Sequence, residues 1–170
     1  MACKLISIDL SSTTTGYAVW HNGKLVKHGI LEEPLKIIKD GKKVTTQMAE
    51  RFDNMFKRLS DIVTTESPDI IVIEDCIAMG SNMMFAKHEN EIIGCLRGWA
   101  YFNDAYFYKY LPQSWRKLVA PAGTKAPTKT AETKIWSKKL CNDIFNIDVD
   151  DNESDAILIG LAYIKEWGDK

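Results

Sequence analysis

The sequence predicts an α/β fold in which a mixed five-stranded sheet is flanked by helices. Three observations lead to this prediction. The first thirty residues hold three short apolar runs separated by polar bends, which is typical of an antiparallel meander. An amphipathic helical pattern then precedes a nearly continuous β-branched run at 69–74, which indicates a buried parallel strand. A largely apolar helical segment at 153–167 is expected to pack on the sheet.

The meander is predicted from residue alternation and from turn residues. Residues 4–10 place alternate side chains on two faces, and Asp9 lies where this first strand ends. The second and third strands, at 16–20 and 25–30, are joined by an Asn-Gly pair, which is a strong hairpin signal. We therefore expect three consecutive antiparallel strands.

Helices and strands alternate along the remaining sequence. Apolar residues at spacings of three and four predict a helix over 46–64, and Glu74 ends the strand that follows it. Further elements are predicted in this order: a helix around 85–99, a strand at 105–110, a helix around 135–144 and the last helix at 153–167. Two segments rich in lysine, glycine or proline, 35–44 and 120–130, are predicted to be mobile loops.

Length and composition predict a single domain spanning residues 1–170. A hydrophobic content of 45% and a charged content of 26% exclude a mainly disordered chain. No run of about 18 apolar residues is present, so we expect a cytoplasmic protein without a membrane partner. Four scattered cysteines form no metal-binding spacing, which argues against zinc and disulfides.

Charge is distributed unevenly. Residues 109–139 hold eight basic residues against one acid, a net +7, and because the whole chain carries −1, the rest carries −8. Much of the negative charge lies in the last 28 residues. A basic surface beside acidic residues suits a metal-dependent enzyme acting on polyphosphate, although a solvated charged face is an equally good explanation.

Three carboxylates are predicted to converge at one edge of the sheet. Asp9 and Glu74 end neighbouring parallel strands, and Asp155 begins the helix that folds back over them. Ligands of open α/β sheets bind outside the carboxyl ends of the strands. Closely spaced carboxylates repel one another unless a hard cation lies among them, so we expect Mg²⁺, with Mn²⁺ as a substitute. Two ions would support phosphodiester hydrolysis.

Three segments carry the predicted carboxylates: SIDLSSTTTGYAV at 7–19, IVIEDC at 71–76 and DNESDAILIGLA at 151–162. In order and approximate spacing they resemble the motifs of RuvC-type Holliday junction resolvases of the RNase H-like superfamily. The resemblance implies an RNase H-like fold and a Mg²⁺-dependent, structure-selective endonuclease. Such an enzyme cleaves branched DNA, in recombination or DNA packaging, and leaves 5′-phosphate and 3′-hydroxyl ends.

The resemblance assigns Asp9, Glu74 and Asp155 to three of the family's four metal-binding acids. The fourth position holds Asn152, so either its amide oxygen is a ligand or Asp151 or Glu153 substitutes. The place of the family's junction-wedging aromatic holds Ile77. The family's phosphate-binding basic stretch corresponds to a set of residues comprising Arg116, Lys117, Lys125, Lys129 and Lys134.

Loss of the aromatic wedge and a longer basic loop resemble the phage-encoded branch of the family. This branch implies action without an obligatory protein partner, in the cytoplasm of a bacterial host. A two-fold junction favours a homodimer. The apolar stripe of Phe85, Ile92, Leu96 and Trp99 is either core or the dimer seam, and the sequence analysis favours the seam.

Two other functions fit the sequence. A nucleic-acid-binding module of the same fold without catalysis is favoured by Asn152, which lacks the charge of the family's fourth acid. A phosphotransferase related to sugar kinases and actin-like ATPases is suggested by the segment DLSSTTTGYAV. The chain length argues against the phosphotransferase, since those enzymes close two such domains around a nucleotide.

Overall fold

The computed structural model describes residues 3–75 and 83–168. Its central sheet has five strands in the order β3-β2-β1-β6-β7. The strands of this sheet are β1 Lys4–Asp9, β2 Thr14–His21, β3 Lys24–Glu32, β6 Ile70–Glu74 and β7 Tyr106–Tyr110. The first three pair antiparallel, whereas β6 pairs parallel with β1 and β7 parallel with β6. The predicted meander plus two parallel strands is confirmed.

Five helices cover the two faces of the sheet. They are α1 Met48–Glu66, α2 Met83–Phe102, α3 Pro112–Val119, α4 Thr130–Phe145 and α5 Asp151–Trp167. Alternation along β1 sends Ile6 and Ile8 into a core with α1 and α2, and sends Leu5 into a second core with α3, α4 and α5. No helix among the described residues combines the length and apolar character that a membrane span requires.

Helix α5 lies directly against the sheet because two glycines remove the side chains that would hold it away. A Cβ at Gly160 would come within 2.2 Å of the Trp20 ring nitrogen and 2.5 Å of the Ser7 hydroxyl. A Cβ at Gly16 would come within 2.0 Å of the Asn152 carbonyl oxygen. The first turn of α5 is thereby pressed onto β2, next to the end of β1.

Three sequence predictions need correction. Residues 35–44 are not an irregular loop: they form most of an antiparallel hairpin, β4 Lys36–Lys39 and β5 Lys42–Thr45. The short helix α3 was not predicted, because eight residues give too little apolar periodicity. Ile92 and Leu96 of the apolar stripe on α2 are buried in the core of this chain and Trp99 packs against it, so these three residues are core rather than a dimer seam, and the side chain of Phe85 lies outside the described part. The homodimer stays a prediction.

Candidate active site

Asp9 and Glu74 lie side by side at the carboxyl edge of the sheet. Ile8 pairs with Ile73 in the parallel register, so the next residues along the two strands are Asp9 and Glu74. Both side chains lie on the face that α5 covers, because they share the alternation of Leu5 and Val72. The β1–β2 turn beside them is closed by Thr15, whose hydroxyl accepts from Ser11 N at 3.0 Å and donates to Ser11 O at 2.9 Å.

Asp155 reaches this edge from the start of α5. Asp150 caps the helix by accepting a hydrogen bond from Glu153 N at 2.9 Å, which fixes where the helix begins. Gly16 pairs with Asp9 across β1 and β2 and also contacts the backbone of Asn152. This contact brings the first turn of α5, and with it Asp155, beside Asp9.

The three carboxylates influence one another electrostatically. Burial raises the pKa of Asp9 well above its usual value, and the negative charges of Asp155, Glu74 and Glu89 raise it further. Burial also raises the pKa of Glu74. Burial raises the pKa of Asp155 to about 6, against an opposing interaction with the Ser137 hydroxyl and the charge of Arg116. The site therefore disfavours three simultaneous negative charges unless a cation neutralises them.

A cation of the chain itself already lies among these acids. Nη2 of Arg116 lies 3.9 Å from Glu74 Oε2 and 4.0 Å from Asp155 Oδ2. The guanidinium group also packs over the Trp115 ring, with 4.8 Å from Cζ to the ring centroid. Sequence reasoning assigned Arg116 to DNA phosphates, but the structure places its charge between two of the predicted metal ligands.

Trp115 orients Glu74. Its ring is fully buried, and Nε1 donates a hydrogen bond of 2.5 Å to Glu74 Oε2. This bond and the Arg116 charge both favour the ionised form of Glu74 against the effect of burial. Trp115 therefore packs in the core of the chain and is not exposed for stacking on bases.

Glu89 is a site residue that the sequence analysis missed. It lies on α2 with 6% of its surface exposed and lines the same cleft as Asp9 and Glu74. Its negative charge contributes to the raised pKa of Asp9. The only sequence signal was an acid one turn before the apolar pair Ile92 and Ile93, which does not by itself indicate a functional site.

The three candidates for the fourth ligand have different surroundings. Asp151 forms an ion pair with Lys134, which lowers the pKa of Asp151 and raises that of Lys134. Glu153 Oε1 lies 2.6 Å from His28 Nδ1. Asn152 contacts Gly16 through its backbone. Asp151 and Glu153 thus each have a basic partner, and the charges of Lys134 and Asp151 also act on Asp155.

A cleft of about 1140 Å³ opens over Asp9 and Glu74, and Asp155 is not among the residues that line it. Its lining includes the acids Asp9, Glu74 and Glu89 and the bases Arg116, Lys117 and Lys125. Lys129 and Lys134 do not line it; Lys129 pairs with Glu132 at 3.2 Å, and Lys134 with Asp151. Ile77 and Cys76 lie outside the described residues. Of the predicted basic set, Arg116, Lys117 and Lys125 therefore line the cleft, and Lys129 and Lys134 do not.

The carboxylate oxygens at this edge suit a hard divalent cation such as Mg²⁺. Asp155 Oδ1 is buried and has no hydrogen-bond partner among the described residues, so it retains a free acceptor. In the described part of the chain, however, no three acids, histidines or cysteines lie close enough to share one ion. The donors fit the metal chemically, and Arg116 occupies the space that separates Glu74 from Asp155.

Comparison with solved structures shows the same architecture in three resolvases. The chain resembles Thermus thermophilus RuvC in complex with a Holliday junction substrate (TM-score 0.66, 15% identity, 96% of this chain and 94% of that chain). It shares the fold of this structure, a mixed five-stranded sheet flanked by helices. The fowlpox virus Holliday junction resolvase is similar over 96% of this chain and 99% of its own (TM-score 0.59, 15% identity).

A third resolvase extends this likeness beyond bacteria and viruses. The yeast mitochondrial Holliday junction resolvase Ydc2 aligns with 98% of this chain and 81% of its own at 12% identity, with a TM-score of 0.62. The chain matches no protein-family model and no curated protein sequence. At these identities the likeness establishes the fold, and the function is argued from the site.

Proposed function

We propose that this chain is a Mg²⁺-dependent endonuclease that hydrolyses phosphodiesters in branched DNA, Holliday junctions included. The observation that carries the proposal is the meeting of Asp9, Glu74 and Asp155 at one edge of the sheet, beside a cleft with a basic wall. The likeness in fold to three Holliday junction resolvases supports branched DNA as the substrate class.

Each residue of the site has a definite task in this proposal. Asp9, Glu74 and Asp155 would hold the metal, which when bound supplies charge to activate a water and to stabilise the leaving oxygen. Trp115 keeps the Glu74 carboxylate in one orientation through its hydrogen bond. Lys117 and Lys125 line the cleft, where their charges would hold backbone phosphates.

Arg116 can pair either with the carboxylates of the site or with a DNA phosphate. In the described structure its guanidinium group neutralises part of the charge of Glu74 and Asp155. A phosphate entering the cleft offers it a planar pair of acceptor oxygens, which guanidinium groups bind in a bidentate manner. We infer that Arg116 turns from the carboxylates to the DNA backbone when metal and substrate bind.

The proposed products are 5′-phosphate and 3′-hydroxyl ends. The likeness in motifs to the phage-encoded resolvases supports action without an obligatory protein partner, in the cytoplasm of a bacterial host. Homodimerisation would supply two such sites for the two strands of a symmetric junction.

A DNA-binding module without catalysis is the second candidate function. It is favoured by the wide spacing of the acids, no three of which in the described part share an ion site, and by the Arg116 charge among them. Both functions predict binding to branched DNA, so only cleavage separates them.

The test is incubation of four-way, three-way, flap and linear duplex DNA with Mg²⁺ or with EDTA. A nuclease cleaves the branched substrates with Mg²⁺ alone, and D9N and E74Q abolish cleavage while junction binding remains. D61N, which changes an exposed acid on α1, is the matched control and is expected to cleave like the wild type. Binding of junctions without any Mg²⁺-dependent cleavage would support the module instead.

A further inference from the structure

The β4–β5 hairpin, Lys36 to Thr45, is a two-stranded ribbon that stands apart from the central sheet. Its register pairs Lys36 with Thr45 and Lys39 with Lys42. The turn has Asp40 and Gly41 at φ of 51° and 74°, the left-handed conformation that two-residue hairpin turns require. Every one of its ten residues is exposed, and we call it the basic ribbon.

The basic ribbon carries uncompensated positive charge. It holds four lysines against a single acid, Asp40. Lys39 and Lys42 lie directly opposite each other across the ladder, a like-charge pairing that destabilises a hairpin. None of the four lysines has an ion-pair partner among the described residues. Two strands with such a pairing gain stability from a bound polyanion.

The base of the basic ribbon, in contrast, is firmly attached to α1. Thr46 donates from its backbone nitrogen to Leu35 O at 3.0 Å and from its hydroxyl to Pro34 O at 2.8 Å. The buried Arg51 donates to Thr46 O at 2.6 Å, and Arg58 donates to Glu32 O at 2.7 Å. These bonds hold the ribbon in a defined direction while its lysines remain free.

The basic ribbon rises from the same edge of the sheet as the candidate site. Glu32, the last residue of β3, pairs with Thr14, and Gly16 on the same strand pairs with Asp9. The cleft lysines follow β7, at the opposite end of the strand order. Four strand intervals of about 4.8 Å, roughly 19 Å in all, separate β3 from β7, so the two basic elements leave the sheet on opposite sides of the carboxylates.

We propose that the basic ribbon binds the phosphate backbone of one arm of a branched DNA, on the β3 side of the carboxylates. Lys117 and Lys125 face a different arm from the β7 side. The inference rests on the proposed DNA substrate, and it assigns the ribbon a part in recognising the branch.

The test measures binding of the whole chain to a fluorescently labelled four-way junction in EDTA, by anisotropy, from about 50 to 200 mM salt. The plot of log affinity against log salt has a negative slope, and each lost phosphate contact makes it shallower by about 0.9. K39Q/K42Q is therefore expected to reduce the steepness of this slope by about 1.8. K39R/K42R keeps both charges and is expected to retain the wild-type slope.

K24Q/K165Q is the matched control. It removes two exposed lysines at the opposite edge of the sheet, at the start of β3 and in the last turn of α5, and is expected to leave the slope unchanged. Circular dichroism checks that each variant keeps the wild-type fold. An unchanged slope in K39Q/K42Q, or an equal loss in K24Q/K165Q, overturns the ribbon assignment while junction binding by the wild type stands. Absence of junction binding by the wild type overturns the DNA substrate itself.

Discussion

Replacing Asp155 with asparagine is expected to stabilise the metal-free protein at neutral and alkaline pH. Burial raises the pKa of Asp155 from 3.8 to about 6, so the folded state favours its neutral form. At a pH well below 3.8 the carboxyl is protonated in both states and contributes nothing. As pH rises from about 4 to 6, the unfolded state loses the proton first, and stability falls. A shift of about two units corresponds to a loss of about 3 kcal/mol.

The assay is thermal unfolding of wild type and D155N in EDTA at pH 4 and pH 8. Asparagine has nearly the same volume and never carries the charge, so D155N is expected to be more stable by about 3 kcal/mol at pH 8 and by little at pH 4. For a chain of this size the gain corresponds to roughly 6–12 °C in Tm. D61N, at an exposed position, serves as the control and is expected to follow the wild type.

The reasoning is refuted if D155N unfolds at or below the wild-type temperature at pH 8. Such a result would mean that the Arg116 charge, 4.0 Å from Asp155 Oδ2, outweighs the cost of burying the carboxylate. A gain of equal size at pH 4 would also contradict the account, since it would not depend on ionisation. Functional sites typically lower the stability of the folded state in this way, here by burying a cluster of charged carboxylates.

Three further changes test the contacts of the site. G16A places a methyl group 2.0 Å from the Asn152 carbonyl oxygen and so displaces α5. This is expected to lower the free energy of unfolding, measured in urea, by about 1–3 kcal/mol and to abolish most of the cleavage activity. An unchanged free energy of unfolding would contradict the close approach. W115F removes the donor to Glu74 and is expected to lower kcat with native-like circular dichroism, whereas wild-type kcat would exclude an orienting role. R116Q removes the positive charge that competes with a metal ion for Glu74. The variant is expected to bind Mn²⁺ about tenfold more tightly in calorimetry, a difference of about 1.4 kcal/mol, and to cleave DNA poorly. Weaker Mn²⁺ binding would show that Arg116 supports the metal site.

The sheet and the long helices followed from the sequence because their signals are local. Alternation predicted β1, the Asn-Gly turn predicted the β2–β3 hairpin, and spacings of three and four predicted α1. The basic ribbon was not predicted because lysines interrupt the apolar residues Ile37, Ile38 and Val44, which therefore give only a weak alternation of apolar and polar side chains. Asp40 and Gly41 are nevertheless a typical turn pair.

Only those residues of the candidate site that lie at predicted ends of strands or helices could be predicted from the sequence. Asp9 and Glu74 could be placed together because parallel neighbours end at one edge, and Asp155 because the last helix had to cover the sheet. The contribution of Glu89 depends on how α2 leans over that edge, and the position of Arg116 between two acids depends on α3. Such tertiary placements leave no pattern in the sequence of either helix.

The most direct test of the central claim is a Mn²⁺ titration of the free protein followed by electron paramagnetic resonance. If Asp9, Glu74 and Asp155 form a divalent metal site, the wild type binds Mn²⁺ with loss of the free-ion signal, Mg²⁺ competes, and D9N/E74Q leaves the signal of the free ion unchanged. A wild type that leaves all Mn²⁺ free in solution, or a D9N/E74Q variant that binds as the wild type does, would contradict it.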